Sequence, residues 1–498
     1  MAQTVLPDYA LSSLLLCLWV GVGVALVGGG AAAAVALFDF PGRKTMEWAL
    51  LLPLAVPAYV VAYAYTDFLQ YSGPLQTQIR AITGLQGRVF PEIRSLGGAA
   101  WVFVFALYPY VYVLARTALA ERASHLMEAA RLLGAPLSRR IRSVALPLAR
   151  PAIAAGMTLA LMETLADYGV SSYFGIQTFT AGIYKAWLAM DNSLAAAQLA
   201  TLLLLVVLVL LKTEHWSRRR LRFAPATNTA GKHSGESQAV VLHGKAALLA
   251  WLLCAVPVLA GFILPMVFML RPLVADWSVL PWDSFLLWSY NSLSLALGTA
   301  VLACCIALVL AFAVRTHADR LTRGVVQIAG LGYAIPGAVI VVGLLLPVGW
   351  LQASFPQTSV GYWMTATSLG LVWAYLVRFC AVALQTIQSG YARIPTSMDE
   401  SARMLGVTGG ALLTRVHWPL LTRSLSAACL LVLVDVMKEL PATLVLRPFN
   451  SDTLAVVAYQ LARDERLGEA ALPSLALVLV GLLPVILLSR TLRAKNGI

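Results

Sequence analysis

Four carboxylate side chains lie within otherwise apolar stretches of this 498-residue sequence, in two pairs of the same spacing. Glu163 and Asp167 are four residues apart, and Asp435 and Glu439 repeat the pair 272 residues later. Ionisable groups within a membrane-spanning segment are costly, so they are candidates for function. Their oxygens would attract a hard trivalent cation, which prefers oxygen ligands. Two other interpretations stay open: the carboxylates cap helix ends, or they pair with Lys438.

The elements that must position these carboxylates are membrane-spanning helices. Hydrophobic residues make up 60% of the chain and charged residues 12%, with a mean hydropathy of +0.79, which a water-soluble domain would not have. Because the apolar runs are continuous rather than alternating, helices are favoured over a β-barrel, and the predicted fold class is an all-α integral membrane protein. About eleven runs are long enough to cross a bilayer, near 12–36, 47–66, 98–115, 149–169, 194–212, 246–270, 290–314, 325–347, 364–386, 421–441 and 471–489.

The basic residues predict the orientation of these spans. If the N-terminus lies outside, 26 of the 36 Lys and Arg residues fall in cytoplasmic loops and only eight on the outer side, as the positive-inside rule describes. We therefore expect a multi-pass membrane protein with an external N-terminus and a cytoplasmic C-terminus. The net charge of +13 reflects this topology, and no nucleic-acid partner is expected.

An internal repeat divides the chain. Residues 128–134 (EAARLLG) recur 272 residues later as 400–406 (ESARMLG), and each copy is followed by a proline, Pro147 or Pro419. Six apolar runs separate the copies, so both lie on the same side, and the halves are predicted to be parallel repeats. Each copy predicts a short surface helix, a bend at the glycine and re-entry into the membrane at the proline. An ordinary amphipathic loop helix would look similar but would rarely repeat this spacing.

The polar stretch 213–245 separates the two halves. It has no apolar periodicity and predicts a flexible cytoplasmic linker. The first half, 1–212, then has about five spans, and the second, 246–498, has six.

The repeated segment resembles the EAA loop of binding-protein-dependent ABC importer permeases, in which Glu-Ala-Ala, three residues, Gly and nine residues precede Ile-x-Leu-Pro. Val144 replaces Ile in the first copy, and Ser401, Val416 and Trp418 depart from the pattern in the second. The resemblance implies a type I importer fold whose coupling helices, near 121–147 and 393–419, dock on ATPase subunits. The implied ATPase contacts are Glu128, Ala129, Ala130, Gly134, Pro147, Glu400, Ala402, Gly406 and Pro419.

No ATP site is predicted in the chain itself. The phosphate-loop pattern G-x-x-x-x-G-K-[ST] is missing, because the Gly-Lys pairs at 231–232 and 244–245 lack the upstream glycine. The resemblance therefore implies a transport subunit that is not an enzyme and binds no cofactor. Its expected partners are two ABC ATPase subunits, which bind ATP and Mg, a periplasmic substrate-binding protein and the lipid bilayer. The resemblance also implies a bacterial inner membrane, so the external N-terminus is expected to be periplasmic.

A narrower resemblance, to fused permeases of ferric iron importers, covers nearly the full chain. It is carried by residues 52–57 (LPLAVP), 62–67 (AYAYTD), 167–169 (DYG), 172–175 (SYFG) and 435–444 (DVMKELPATL). It implies import of ferric iron by alternating access, and we expect the four membrane carboxylates to be transient ligands along the pathway. Such permeases usually have six spans in each half, so the first half is expected to lack one.

The histidines limit the choice of cargo. All six lie in predicted cytoplasmic loops or in the linker, so no imidazole ladder crosses the membrane, which disfavours zinc, nickel or copper. Carboxylates would also suit thiamine, a polyamine or another small solute. An ion-coupled secondary transporter without an ATPase is a further alternative, which the parallel repeats disfavour.

Two further groups of residues have candidate roles. Three tyrosines around Pro109 could contact a cation or form an interfacial aromatic belt: Tyr108, Tyr110 and Tyr112. Three prolines are expected to kink their spans: Pro53, Pro57 and Pro336.

Overall fold

The computed structural model describes residues 6–120, 124–222, 240–278, 280–317 and 319–494. Most of these residues are helical, and in this part of the chain the extended segments are confined to one short parallel pairing, Phe38–Asp39 with Val240–Val241. The all-α fold class is therefore confirmed. The helices before residue 223 are α1 (Leu6–Leu37), α2 (Arg43–Ala49), α3 (Ala58–Leu69), α4 (Pro74–Thr83), α5 (Leu96–Ala118), α6 (Ser124–Leu132), α7 (Leu137–Arg140), α8 (Leu146–Ala166), α9 (Gly169–Tyr173), α10 (Phe179–Tyr184) and α11 (Ser193–Arg222). Those after it are α12 (Gly244–Val258), α13 (Leu264–Ala275), α14 (Trp282–Thr316), α15 (Arg320–Leu331), α16 (Gly337–Ser354), α17 (Val360–Thr365), α18 (Leu369–Tyr391), α19 (Thr396–Met404), α20 (Gly409–Leu412), α21 (Trp418–Lys438), α22 (Pro441–Leu446), α23 (Leu454–Arg463) and α24 (Leu467–Ala494).

The membrane spans follow the hydropathy prediction closely. Within the described residues, ten helical stretches are long and apolar enough to cross a membrane: Leu6–Leu37, Leu96–Ala118, Leu137–Ala166, Ser193–Thr213, Gly244–Ala275, Trp282–Thr316, Gly337–Ser354, Leu369–Tyr391, Gly409–Lys438 and Leu467–Leu487. The predicted run 47–66 is a bent pair, Arg43–Ala55 and Ala58–Thr83, with an angle of 91° between its two parts. Counting this pair as one span gives the eleven that the sequence predicts.

Both halves contain a helix that breaks at proline. The 3₁₀ segment Leu52–Ala55 precedes α3, whose N-cap is Pro57, and the 3₁₀ segment Gly332–Ala334 precedes α16, whose N-cap is Pro336. Proline lacks the N–H that would continue the helical ladder, so the chain turns there. The predicted kinks are confirmed. The predicted boundaries 325–347 are wrong, because the break at Pro336 separates α15 from the actual span.

Helices of the two halves correspond in chain order. The ends of α8 and α21 are 272 residues apart, and those of α5 and α18 are 273 apart. The span formed by α12 and α13 has no counterpart before α1 among the described residues. The exact limits of the halves stay a prediction.

The coupling segments share one backbone conformation. α6 and α19 are each followed by a turn at a glycine with left-handed φ, +79° at Gly134 and +80° at Gly406. The residue after each glycine donates its N–H to the carbonyl five positions earlier, at 3.0 Å in the first copy and 2.9 Å in the second, as in a glycine-terminated helix. A Cβ at either glycine would meet no atom within 4 Å. The glycines therefore provide the predicted bend rather than a close approach within this chain.

The prolines of the repeat lie inside longer helices than predicted. Helical structure is continuous over Leu137–Ala166 and Gly409–Lys438, with Pro147 and Pro419 well inside. The five residues before α8 and before α21 are π-helical. A wider turn accommodates a proline ring that would crowd a regular one. As predicted, Pro147 and Pro419 each lie in the first α-helical turn of the next span, α8 or α21, and helical structure before them reaches back towards the turn at the glycine.

The predicted linker is shorter in the structure. Residues 213–222 continue α11, residues 240–241 pair with Phe38–Asp39 directly after α1, and α12 begins at Gly244. The prediction of a flexible connector is wrong at both ends, because arginine and leucine readily extend an existing helix. Residues 223–239 lie outside the described part.

Helices of the two halves pack against each other across a shared interface. α12 packs against α1, α13 against α3, α11 against α16, and α24 against the 3₁₀ segment Leu52–Ala55. A Cβ at Gly481 of α24 would lie 2.2 Å from the Ala55 carbonyl oxygen, so only glycine permits this approach. The break in the first half is thereby held by a helix of the second.

Candidate translocation cavity and coupling surface

A cavity of about 180 Å³ lies between the far ends of α8 and α21 and the broken helix of the first half. All four carboxylates predicted from the sequence line it: Glu163, Asp167, Asp435 and Glu439. Two cations, Arg378 and Lys438, line it as well. The structure therefore brings together the residues that the sequence selected and adds a basic pair.

Two of the four carboxylates cap helices. α8 ends at Ala166, and the Asp167 carboxylate accepts hydrogen bonds from the N–H groups of Val170 at 2.8 Å and Ser171 at 3.4 Å. The prediction that Asp167 shares a helical face with Glu163 is wrong, because Asp167 lies beyond the end of the helix. Its oxygens instead satisfy N–H groups at the start of α9.

Glu439 has the same role in the second half. α21 ends at Lys438, and the Glu439 carboxylate accepts hydrogen bonds from the N–H groups of Ala442 at 2.9 Å and Thr443 at 3.0 Å. The Thr443 hydroxyl donates a further hydrogen bond of 2.7 Å to the same carboxylate. The shared helical face predicted for Asp435 and Glu439 is likewise wrong, and the capping alternative holds for the outer member of each pair.

Arg378 balances the charge of Glu439. An Nη atom of Arg378, in α18, lies 3.3 Å from the Glu439 carboxylate, and both side chains are buried. The one sequence signal for this pair was that Arg378 lies within an apolar run, since its partner is 61 residues away. A buried ion pair of this kind is costly to break from one side.

Lys438 contacts the other half rather than a carboxylate. Its ammonium donates a hydrogen bond of 3.0 Å to the carbonyl of Leu54, in the first broken helix. No carboxylate of the described residues forms a salt bridge with it. The alternative that Lys438 pairs with the membrane carboxylates is therefore not supported by this geometry.

Glu163 and Asp435 remain open to the cavity. They are equivalent positions of the two halves, are partly exposed, and have no hydrogen-bonding partner among the described residues. Tyr110 and Tyr333 line the same cavity. The described residues hold no cluster of three or more His, Cys, Asp or Glu side chains that could bind a metal ion.

The three tyrosines around Pro109 have separate positions. Tyr110 lines the cavity. Tyr108 and Tyr112 are fully buried, and the Tyr112 hydroxyl donates to the carbonyl of Glu47 at 2.9 Å. An interfacial aromatic belt is therefore wrong for these two, because they face the helix bundle.

The coupling helices present most of their predicted contact residues to solvent. Glu128, Gly134, Pro147 and their counterparts Glu400, Gly406 and Pro419 are exposed, as is Ala129, whereas Ala130 is partly buried and Ala402 is buried. The residues just before each glycine were not predicted as contacts. They form an exposed apolar pair in each half, with Leu133 87% exposed and Leu405 83% exposed beside Leu132 and Met404. The turn at the glycine therefore presents an apolar pair to the surface in both halves.

Two helical halves that enclose a charged cavity define a multi-pass membrane transport permease. Residues 25–222 match the family of binding-protein-dependent transport system inner membrane components. The chain is similar to a Fe(3+)-transport system permease protein of Haemophilus influenzae, at 22% identity over 488 residues that cover 96% of this chain and 89% of that protein. A Sinorhizobium fredii protein named for ABC transporter permease function is 25% identical over 505 residues, which cover 94% and 84%. A Salmonella typhimurium permease named for 2-aminoethylphosphonate transport is 25% identical over 189 residues, which cover 37% and 66%.

The similarities to the Haemophilus and Sinorhizobium proteins extend over both halves, whereas the family match covers residues 25–222. The chain is a fused permease of an ABC transporter and a multi-pass protein of the inner membrane. Its relatives are transport permeases, and transporters of this class work with a partner ATPase and a binding protein.

Proposed function

We propose that this permease imports a cation, ferric iron, which an external binding protein delivers. The observation that carries the proposal is the charge of the cavity, where four carboxylates face two cations. Glu439 is neutralised by Arg378, so the open carboxylates Glu163 and Asp435 determine what the cavity attracts. Their oxygens suit a hard cation, and the similar Haemophilus protein is named for Fe(3+) transport.

The helical rods provide the mechanism. Each coupling turn continues without interruption into a rod, Leu137–Ala166 or Gly409–Lys438, whose far end lies at the cavity. When two ATPase subunits bind ATP and close, they bring the coupling helices together, and the rods carry this motion to the carboxylates. ATP and Mg are bound by those subunits, and this chain contributes no catalytic group or cofactor. The N-terminus lies in the periplasm and the C-terminus in the cytoplasm, as the basic loops predict.

Several contacts connect the two halves at the end remote from the coupling helices. There the two halves are joined by a salt bridge of 2.7 Å between Arg94 and Glu465 and a hydrogen bond of 2.8 Å between the hydroxyls of Ser172 and Tyr459. The Tyr184 hydroxyl also donates to the carbonyl of Pro441 at 2.6 Å. These contacts correspond to an inward-facing state, which ATP-driven closure converts to an outward-facing one.

The test is uptake by the reconstituted complex. Proteoliposomes with the permease, its ATPase and its binding protein should accumulate radioactive iron only with ATP, and vanadate should stop the uptake. Glu163→Gln combined with Asp435→Asn should reduce uptake about tenfold or more. Glu92→Gln, at an exposed position outside the cavity, is the matched control. Undiminished uptake by the double variant would refute the role of the carboxylates.

A small organic solute is the second candidate. The cations Arg378 and Lys438 line the same cavity, and one relative is named for 2-aminoethylphosphonate transport. Ferric iron is favoured because Arg378 is already paired with Glu439 and Lys438 is bound to a carbonyl. The two are separated by titrating the purified binding protein with ferric iron, 2-aminoethylphosphonate, thiamine and spermidine.

A further inference from the structure

Polar side chains from four elements meet where the second coupling helix joins its membrane spans. They are Arg315 at the end of α14, Tyr391 at the end of α18, Asp399 in α19, and His417 in the π-helical turn before α21. Asp399 is 7% exposed and His417 is fully buried. His417 lies near the start of the helical stretch Gly409–Lys438, whose other end lies at the cavity. The proposed transport path does not involve this cluster.

The cluster is a closed hydrogen-bond network. The Asp399 carboxylate accepts from Nε of Arg315 at 2.8 Å and contacts Nε2 of His417 at 3.0 Å. The remaining Arg315 nitrogens donate to the carbonyls of Tyr391 at 3.2 Å and Ile394 at 2.9 Å. The other ring nitrogen of His417 is 3.2 Å from the Tyr391 hydroxyl. Since a carboxylate only accepts, Nε2 is assigned the proton, and each charged group has partners.

At two of the corresponding positions the first half is apolar, whereas the position of Arg315 corresponds to Arg43. The residues 272 positions before Asp399 and His417 are Met127 and Ala145, both buried. Their backbones follow the same course as in the second half, but neither side chain can form an ion pair. The Asp399–His417 contact of the second coupling helix therefore has no equivalent at these two positions of the first half.

The difference has a mechanical consequence. Apolar contact is non-directional, so a helix held by it can shift with little resistance. Charge-assisted hydrogen bonds fix both distance and direction, and a fully satisfied buried network is rigid. Displacement of α19 must therefore carry α14, α18 and α21 with it.

We propose that Asp399 is a positioning residue that locks the second coupling helix to three spans of its half, so that ATPase motion reaches this half rigidly. The proposal rests on the proposed ATP-driven function. Asn at position 399 has the same shape but no charge, so it loosens the lock without removing side-chain volume. Hydrolysis of ATP then continues, while movement of the spans and uptake decrease.

The experiment measures distances in the complete complex, on a background in which the six native cysteines are replaced. One pair of spin labels, at Arg131 and Arg403, reports the coupling helices, and a second, at Arg150 and Thr422, reports the first turns of α8 and α21. All four positions are exposed. With ATP and vanadate, both distances should shorten in the otherwise unaltered protein. Asp399→Asn should keep the first change and lose at least half of the second, and uptake per ATP should fall about tenfold.

Met127→Ala is the matched control, and it should leave both distance changes intact. A normal change between Arg150 and Thr422 in Asp399→Asn would overturn the proposal. If that variant does not assemble, His417→Gln tests the same network, and a normal change there has the same meaning. Failure of the otherwise unaltered complex to respond to nucleotide would instead contradict the proposed function.

Discussion

The Nζ atom of Lys438 lies 3.0 Å from the carbonyl oxygen of Leu54, and this bond joins the second half of the permease to the break in the first. The equivalent residue of the first half is Ala166, whose side chain has no hydrogen-bond donor. The contact therefore has no equivalent made by a side chain at position 166, and the two halves do not contribute equally to their interface at the cavity.

Lys438→Met should destabilise the resting conformation, in which Lys438 joins the two halves. The change leaves the Leu54 carbonyl without this donor, which costs about 1–3 kcal/mol for a buried group. ATP hydrolysis in the absence of binding protein should rise, because fewer contacts hold the resting conformation. Lys185→Met, at an exposed lysine, serves as the control. An unchanged basal hydrolysis rate in Lys438→Met would show that the bond does not hold the resting state.

The Arg378–Glu439 pair should be strongly coupled. Either Arg378→Gln or Glu439→Gln leaves one buried charge uncompensated, at a cost of about 3–5 kcal/mol. The double variant should lose less than the sum of the single losses. The coupling is obtained from a double-mutant cycle, in which thermal unfolding of each variant is monitored by size-exclusion chromatography. The exposed pair Arg88–Glu92 is the control, with a coupling of about 1 kcal/mol or less, and equal couplings in both cycles would contradict the prediction.

The salt bridge between Arg94 and Glu465 should mark a contact that opens during transport. It connects the two halves at the end remote from the coupling helices. A disulfide between Arg94→Cys and Glu465→Cys should block uptake, and reductant should restore it. A double-cysteine protein that transports equally well when oxidised would show that this end does not open there.

The exposed apolar pairs should anchor the ATPase. Replacing Leu133 and Leu405 with Asn should abolish co-purification of the ATPase, because buried apolar anchors contribute about 2 kcal/mol or more to such interfaces. Expression and thermal stability should be unchanged, since both side chains are exposed. Leu85→Asn, at an exposed leucine outside the coupling segments, is the control. Retention of the ATPase by the double variant would place the main contacts elsewhere on these helices.

The stabilisation of the fold by Asp399 should depend on pH only in the acidic range. Burial by itself would raise the pKa of Asp399, but hydrogen bonds from Arg315 and His417 outweigh it and hold the pKa below its ordinary value. Such a carboxyl stabilises the fold above its unfolded pKa of about 3.9 and loses this contribution as the pH falls through the folded pKa. The Tm difference between the unaltered protein and Asp399→Asn should be constant from about pH 8 to 5 and shrink only below about pH 4. A difference that already shrinks near neutral pH would contradict this assignment.

The sequence predicted what depends on local pattern. Continuous apolar runs indicated the spans, because a helix in lipid must satisfy its own backbone and present apolar side chains. The 272-residue repeat indicated two parallel halves and their coupling turns, since the glycine conformation depends on a few neighbouring residues. The prolines at the helix breaks were predicted for the same reason.

The tertiary structure decided how the charged residues are used. From the sequence, Glu163 and Asp167 are equivalent acids on one helix, but the helix ends between them. Both line the cavity, yet only Asp167 caps α9. Arg378 and Glu439 are 61 residues apart, and Asp399 and His417 are 18 apart. No periodic pattern links such partners, because the packing of separate helices determines which charges meet and which remain open. The chain by itself therefore specified a permease of two similar halves, and only their packing made those halves unequal.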